Sequence, residues 1–229
     1  MKKLNPFKDL TKFEFVLWVV SLIVVTFSFL LAPAKDYLTL WASLIGVTAL
    51  IFVAKGFVLG QVLTLIFAVF YGVISYHFDY YGEMITYLCM TAPIAVASIV
   101  TWARNPYKGS KEVEVAHMGK MHVFFMMCLA LTVTVIFYFI LKALGNANLL
   151  FSTISITTSF LASYLTMMRN PFYAIAYGAN DIVLIVLWIL ATIENPSYFP
   201  MIICFVMFLI NDTYGFINWT RIKKRQRAS

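Results

Sequence analysis

Apolar residues dominate this chain in eight long stretches, at residues 13–32, 37–54, 57–77, 81–102, 121–142, 149–168, 171–191 and 198–219. Each is close to the roughly 20 predominantly apolar residues that an α-helix needs to cross the hydrocarbon of a bilayer. The breaks between them are sharp. Pro33 and Lys35-Asp36 close the first stretch, Lys55-Gly56 divides the second from the third, and His77 to Asp79 follows the third. Arg104-Asn105-Pro106 follows the fourth, Arg169-Asn170-Pro171 divides the sixth from the seventh, and Glu194-Asn195-Pro196 precedes the last. Pro171 is placed to open the seventh helix, where a missing N–H does no harm. The pattern predicts an all-α integral membrane protein with eight transmembrane helices.

Charge gives the helices a direction. If the N-terminus is cytoplasmic, the inner side receives Lys2, Lys3, Lys8, Lys12, Lys55, Arg104, Lys108, Lys111, Lys120, Arg169, Arg221, Lys223, Lys224, Arg225 and Arg227, and only Lys35 and Lys142 of the 17 basic residues lie outside. A miscounted span would have mixed the two groups, so the positive-inside rule supports eight crossings with both termini in the cytoplasm of a bacterial inner membrane. Ala32-Pro33-Ala34 could also end a cleaved signal peptide. The preceding apolar stretch is long for that role, and immediate continuation into another span suits a retained helix.

Composition agrees. Hydrophobic residues make up 62% of the 229 and charged ones 12%, about half the charged share of a soluble domain. The net charge of +7 sits between spans and at the chain ends, which excludes a nucleic-acid-binding face. Cys89, Cys128 and Cys204 fall inside apolar runs without metal-ligand spacing and read as small buried hydrophobes. Phosphate-binding loops, zinc-protease and nucleophile-elbow motifs are absent, so ATP-driven transport by this chain alone is excluded and neither enzyme chemistry nor a cofactor is expected.

The fourth and eighth stretches match at an offset of 117 residues: Tyr81, Met84, Ile85, Met90, Trp102 and Arg104 meet Tyr198, Met201, Ile202, Met207, Trp219 and Arg221. Near an offset of 112 the second and third fall on the sixth and seventh. The unit is three helices, and one connector between two units makes them parallel repeats. The chain therefore divides into a tail and additional helix (1–36), a first repeat (37–104), a cytoplasmic loop and connector helix (105–148), a second repeat (149–220) and a basic tail (221–229).

Ionisable groups at bilayer depth are costly and point to function. Asn180-Asp181 lies mid-way along the seventh span and Asn211-Asp212 in the inner half of the eighth, with no basic residue at comparable depth. The carboxyls are protonated, line a wet cavity, face a cationic substrate, or bond helix to helix. Helical steps of three or four gather Tyr173, Tyr177, Asn180, Leu184 and Trp188 towards one stripe, suited to a flat heteroaromatic ring bearing polar groups. In the first repeat the polar or helix-breaking positions are Gln61, Tyr71, Tyr87, Thr91 and Pro93. Gly60-Gln61 reads as the end of a loop, Thr91-Ala92-Pro93 as a helix interruption, and Glu83 as a solvated outer residue. His77, Asp79 and Glu83 are too loosely spaced for a metal site.

Three helices, a connector and three helices resemble the PnuC vitamin transporters, from about Leu40 to Trp219. The resemblance rests on Tyr81-Gly82-Glu83-Met84, the Pro93 to Trp102 spacing, Asn180-Asp181, and Asn211 to Trp219. It implies facilitated diffusion of nicotinamide riboside, with thiamine, riboflavin or a deoxynucleoside as alternatives. It also implies a homotrimer in membrane lipid and a cytoplasmic kinase that traps the small-molecule substrate. Members commonly carry Trp-x-x-Trp where this chain has Tyr173-Ala174-Ile175-Ala176, and Gln where it has Ala95. The candidate site is Asn180, Asp181, Asn211, Asp212, Tyr177, Trp188, Tyr173, Thr91, Tyr87 and Gln61. A non-transporting membrane subunit or enzyme is the competing class, disfavoured by short, chemically plain loops.

Overall fold

The computed structural model describes residues 6–77, 80–146 and 148–228. Lys2, Lys3 and Asp79, which entered the charge and metal arguments, lie outside them. Among the described residues, eight helical spans are long and apolar enough to cross a membrane. They are α1 (Lys12–Leu31), α2 (Tyr37–Ala54), α3 (Val58–His77), a composite fourth span, α6 (Lys120–Ala143), α7 (Leu149–Met167), α8 (Tyr173–Glu194) and α9 (Phe199–Ala228). The fourth span is α4 (Tyr81–Ile85), a π-helical segment (Thr86–Thr91) and α5 (Ala92–Arg104) in sequence. Pro93 explains that composition. Its ring cannot follow a regular turn and it donates no hydrogen bond, so the turns before it widen. The Ala92 N–H accordingly reaches back five residues to the Tyr87 carbonyl.

The two repeats, α2–α5 and α7–α9, pack against each other reciprocally. The first helix of one lies on the third helix of the other, α2 on α9 and α7 on α5. A pair of equivalent bonds marks the seam. Trp102 Nε1–H donates to the Thr166 carbonyl at 2.8 Å, and Trp219 Nε1–H donates to the Val53 carbonyl at 2.9 Å. The indoles, partners in the sequence repeat, lie 5.4 Å apart between ring centroids. At the opposite end of the bundle Trp188 Nε1–H donates to Tyr71 Oη at 3.0 Å. Equivalent residues meet only on a symmetry axis. The meeting of the two indoles therefore lies on the pseudo-two-fold axis that relates the repeats.

The additional helix α1 is fixed to this core by polar contacts. Glu14 closes a capping box with Thr11, and it also accepts from Tyr214 Oη at 2.7 Å and from Lys55 Nζ at 3.2 Å. Further along, Trp18 donates to Thr48 at 3.1 Å. The connector α6 packs on α7, with Thr134 and Thr157 hydroxyls 2.7 Å apart, and turns Phe124, Phe125, Leu131 and Phe139 outward.

Three expectations are corrected. Gln61 does not end a loop: it lies inside α3 and is buried, because Gly60 brings α3 onto α2 so closely that a Cβ there would stand 2.4 Å from the Val53 nitrogen. Glu83 is not solvated: it is 3% exposed, because Asn146 caps Gly82 N–H at 3.0 Å and folds the first turn of α4 inward. Of the cysteines only Cys204 is buried, since Cys89 and Cys128 lie on the apolar outer surface that lipid covers.

The paired indole bonds lead to a stability test. Trp102→Phe and Trp219→Phe each remove one buried bond from a carbonyl that keeps a backbone donor, Arg169 N–H on Thr166 and Gly56 N–H on Val53, so each should cost about 1 kcal/mol. A fall of several degrees in the unfolding midpoint of the detergent-solubilised protein is expected for both. Unchanged midpoints would show that these bonds do not hold the repeats together.

Candidate functional site

Between the repeats, between the indole pair and the Tyr71–Trp188 bond, lies a small cavity of about 50 Å³. The first repeat contributes Gly46, Ala49, Leu50 and Val53 of α2, Gln61, Thr64 and Phe67 of α3, and Tyr87 and Thr91 of the π segment. The second contributes Thr166 of α7, Tyr177, Asn180 and Asp181 of α8, and Phe208 and Asp212 of α9. Gly46 is what lets the Phe208 ring cross the cavity wall, since a Cβ there would stand 2.4 Å from that ring.

Asn180 is the most firmly held polar group. Its Oδ1 accepts from Ser155 at 3.3 Å, Thr158 at 2.9 Å and Ser159 at 3.0 Å, all on one face of α7. Three donors on the oxygen fix the amide's orientation and leave its N–H pair as the group to offer a ligand. One turn earlier Tyr177 Oη lies 3.3 Å from the Ser163 hydroxyl.

Asp181 and Asp212 interact directly across the α8–α9 interface. Each is 3% exposed, and Asp181 Oδ2 has no protein partner. The ion pairs among the described residues are Lys55–Glu14, Lys111–Asp9 and Arg225–Glu112, none of which reaches them. Two touching carboxylates cannot both be ionised in such a place without a proton or another cation between them. Gln61 Nε2 and Thr91 Oγ1 are likewise buried without a partner. An unpaired buried polar group costs about 1–3 kcal/mol. Three of them thus lie on the wall of one cavity.

The structure therefore brings Gln61, Tyr87, Thr91, Tyr177, Asn180, Asp181 and Asp212 together and sends three other candidates elsewhere. Asn211 donates to Ser21 of α1 at 3.0 Å and to the Met207 carbonyl at 2.7 Å. Tyr173 packs on Trp219 in the core below the cavity, at 5.1 Å between ring centroids. Trp188 sits against Tyr71, Tyr80 and Tyr198, in an aromatic layer above it. Sequence reasoning missed Gly46, Thr64, Phe67 and Phe208, and missed the hydroxyls of α7 that hold Asn180. Those hydroxyls left a readable signal, because Ser152, Ser155, Ser159 and Ser163 recur at helical spacing on one face of an otherwise apolar helix. As for His77, once considered beside Asp79 and Glu83, its Nδ1 lies 2.8 Å from the Val73 carbonyl.

A profile of the nicotinamide mononucleotide transporter family matches residues 36–221, most of the chain. The protein belongs to that family. It is 26% identical to the nicotinamide riboside transporter PnuC of Neisseria mucosa, over 97% of this chain and 86% of the relative. It is 23% identical to the protein of the same name from Haemophilus influenzae, over 92% of this chain and 91% of that one. Among solved structures, a crystal structure of the vitamin B3 transporter PnuC superposes with a TM-score of 0.83 at 26% identity, covering 95% of this chain and 94% of the other. This multi-pass membrane protein is thus a transporter.

The hydroxyl clamp is open to test. Replacing Thr158 and Ser159 together by Ala leaves Asn180 Oδ1 with its longest donor alone, and solute affinity should fall by about tenfold, one to two hydrogen bonds' worth. Calorimetric titration of the purified double variant checks this, and unchanged affinity would free Asn180 from any dependence on α7.

Proposed function

We propose that this transporter carries nicotinamide riboside inward across a bacterial cytoplasmic membrane by facilitated diffusion, with both chain termini on the cytoplasmic side. The observation that carries the reading is the Asp181–Asp212 pair, which faces the cavity without a counter-ion. Nicotinamide riboside brings a permanently cationic pyridinium. At 4 Å a cation and a carboxylate attract by about 4 kcal/mol at an effective dielectric constant of 20. Phe67, Tyr87, Tyr177 and Phe208 offer ring faces, and the amides of Asn180 and Gln61 with the Thr91 hydroxyl match a carboxamide and ribose.

The same lining argues for a nucleoside over a nucleotide. Among the described residues, no Lys, Arg or His lines the cavity. A 5′-phosphate would add close to two negative charges beside two carboxyls, with no positive group to receive them. Thiamine, whose thiazolium is also cationic, is the second reading; it satisfies the carboxyls but has no ribose or carboxamide for Asn180. Riboflavin and deoxynucleosides bring no positive charge. Alternating exposure follows from rocking one three-helix unit against the other about the axis. A homotrimer in lipid, and trapping of the product by a cytoplasmic kinase, complete the proposal on the strength of the family resemblance.

The test is a titration of purified protein with nicotinamide riboside, nicotinamide mononucleotide, thiamine, riboflavin and a deoxynucleoside. Nicotinamide riboside should bind tightest, and Asp181→Asn should weaken it by at least about tenfold, a fraction of the Coulomb energy above. Equal or tighter binding of the mononucleotide or of a neutral solute would overturn the charge argument.

A further inference from the structure

Glu83 takes no part in the site described so far. It stands two residues into the fourth span, at the end away from the basic residues, and is 3% exposed. Neither carboxyl oxygen has a hydrogen-bond partner. Four residues on, about 6 Å along the helix, is Tyr87 of the cavity wall. Tyr71 of α3, which closes that end of the bundle through its bond from Trp188, is near enough to feel the charge on Glu83, as are Tyr80 and Tyr87. Ser155 of α7 borders it, with a hydroxyl that meanwhile donates to Asn180 at 3.3 Å. The groups facing Glu83 are thus tyrosines and a serine, and none of the ion pairs among the described residues includes it.

A carboxyl in this setting is held without compensation, at a cost of roughly 2.5–3.5 kcal/mol on insertion scales. Such a group is useful where a positive charge passes. Resting on the substrate reading above, we infer that Glu83 is a further subsite for the cationic ring, beside the Tyr87 wall of the cavity, from which the solute passes to the Asp181–Asp212 pair. Two carboxylate stations in series would make selection for positive charge begin before the solute reaches the aspartate pair.

The experiment compares nicotinamide riboside with its 1,4-dihydro form, which keeps ribose and carboxamide but has a neutral ring. Uptake of both into right-side-out vesicles containing the full-length protein is measured for wild type, Glu83→Gln and Glu83→Asp. Glu83→Gln should lower uptake kcat/KM for the cation by at least about tenfold while leaving the neutral form within about twofold, and Glu83→Asp should retain most of the preference. A purely structural role would lower both solutes alike. A cation preference that survives Glu83→Gln overturns the subsite, as does an equal loss for both solutes accompanied by loss of pH dependence, which would make Glu83 a proton carrier. If the wild type itself takes up neither solute, the substrate reading falls and the subsite with it. If only the Glu83 variants behave as wild type, the subsite alone falls.

Discussion

Hydrocarbon offers no hydrogen bonds, so a polar side chain on a spanning helix must bond to its own backbone, reach another helix, or face an enclosed space. Most hydroxyls here take the first course. Ser43, Thr48, Thr64, Ser98, Thr101, Thr132 and Thr134 each donate to the carbonyl four residues back. The second course holds the bundle together, through Trp18 to Thr48, Asn211 to Ser21 and the two indoles at the seam. What remains is informative. Gln61, Thr91 and Asp181 keep unpaired atoms on the cavity wall, and Glu83 keeps two beside it. Three further unpaired atoms, on Ser75, Arg169 and Asn211, lie off that wall, so the exceptions gather at the cavity without being confined to it.

The spans and the repeat were legible because hydropathy and charge asymmetry are properties of whole segments, insensitive to which way any one side chain points. The site was legible only in part, for the opposite reason. Asn211 and Asp212 are neighbours in sequence but about 100° apart around a helix of 3.6 residues per turn, so one faces α1 and the other the cavity. Tyr177 and Trp188 do share a stripe. Eleven residues at 1.5 Å each separate them by about 16 Å, too far to hold one small ring between them. Their stripe runs through two different structures, the cavity and the aromatic closure above it. Glu83 misled because proximity to a span end ordinarily means water, whereas here Asn146 turns that end inward. Gly46 and Phe208 could not be read at all, since their importance lies in one close approach between helices distant in sequence.

The axis joins these observations into a mechanism. One closure, Trp102 and Trp219 bonded to opposing backbones, lies at the end bearing the basic residues; the other, Tyr71 and Trp188, lies at the far end. Both are formed here, with the cavity between them. Alternating access requires that one yield while the other holds. The far closure has a single hydrogen bond and edge-to-face ring contacts, together about 2–3 kcal/mol at roughly 1 kcal/mol each. The near closure has two hydrogen bonds and the indole pair, so it is comparable. Barriers of this size lie within reach of a solute that binds one state a few kcal/mol better than another. On the proposed reading, Asp181 and Asp212 supply that difference to the extent that they meet the cation more closely in one state than in the other. On that reading it is the charge of the cargo, met more closely in one state than in the other, that loosens the seams confining it.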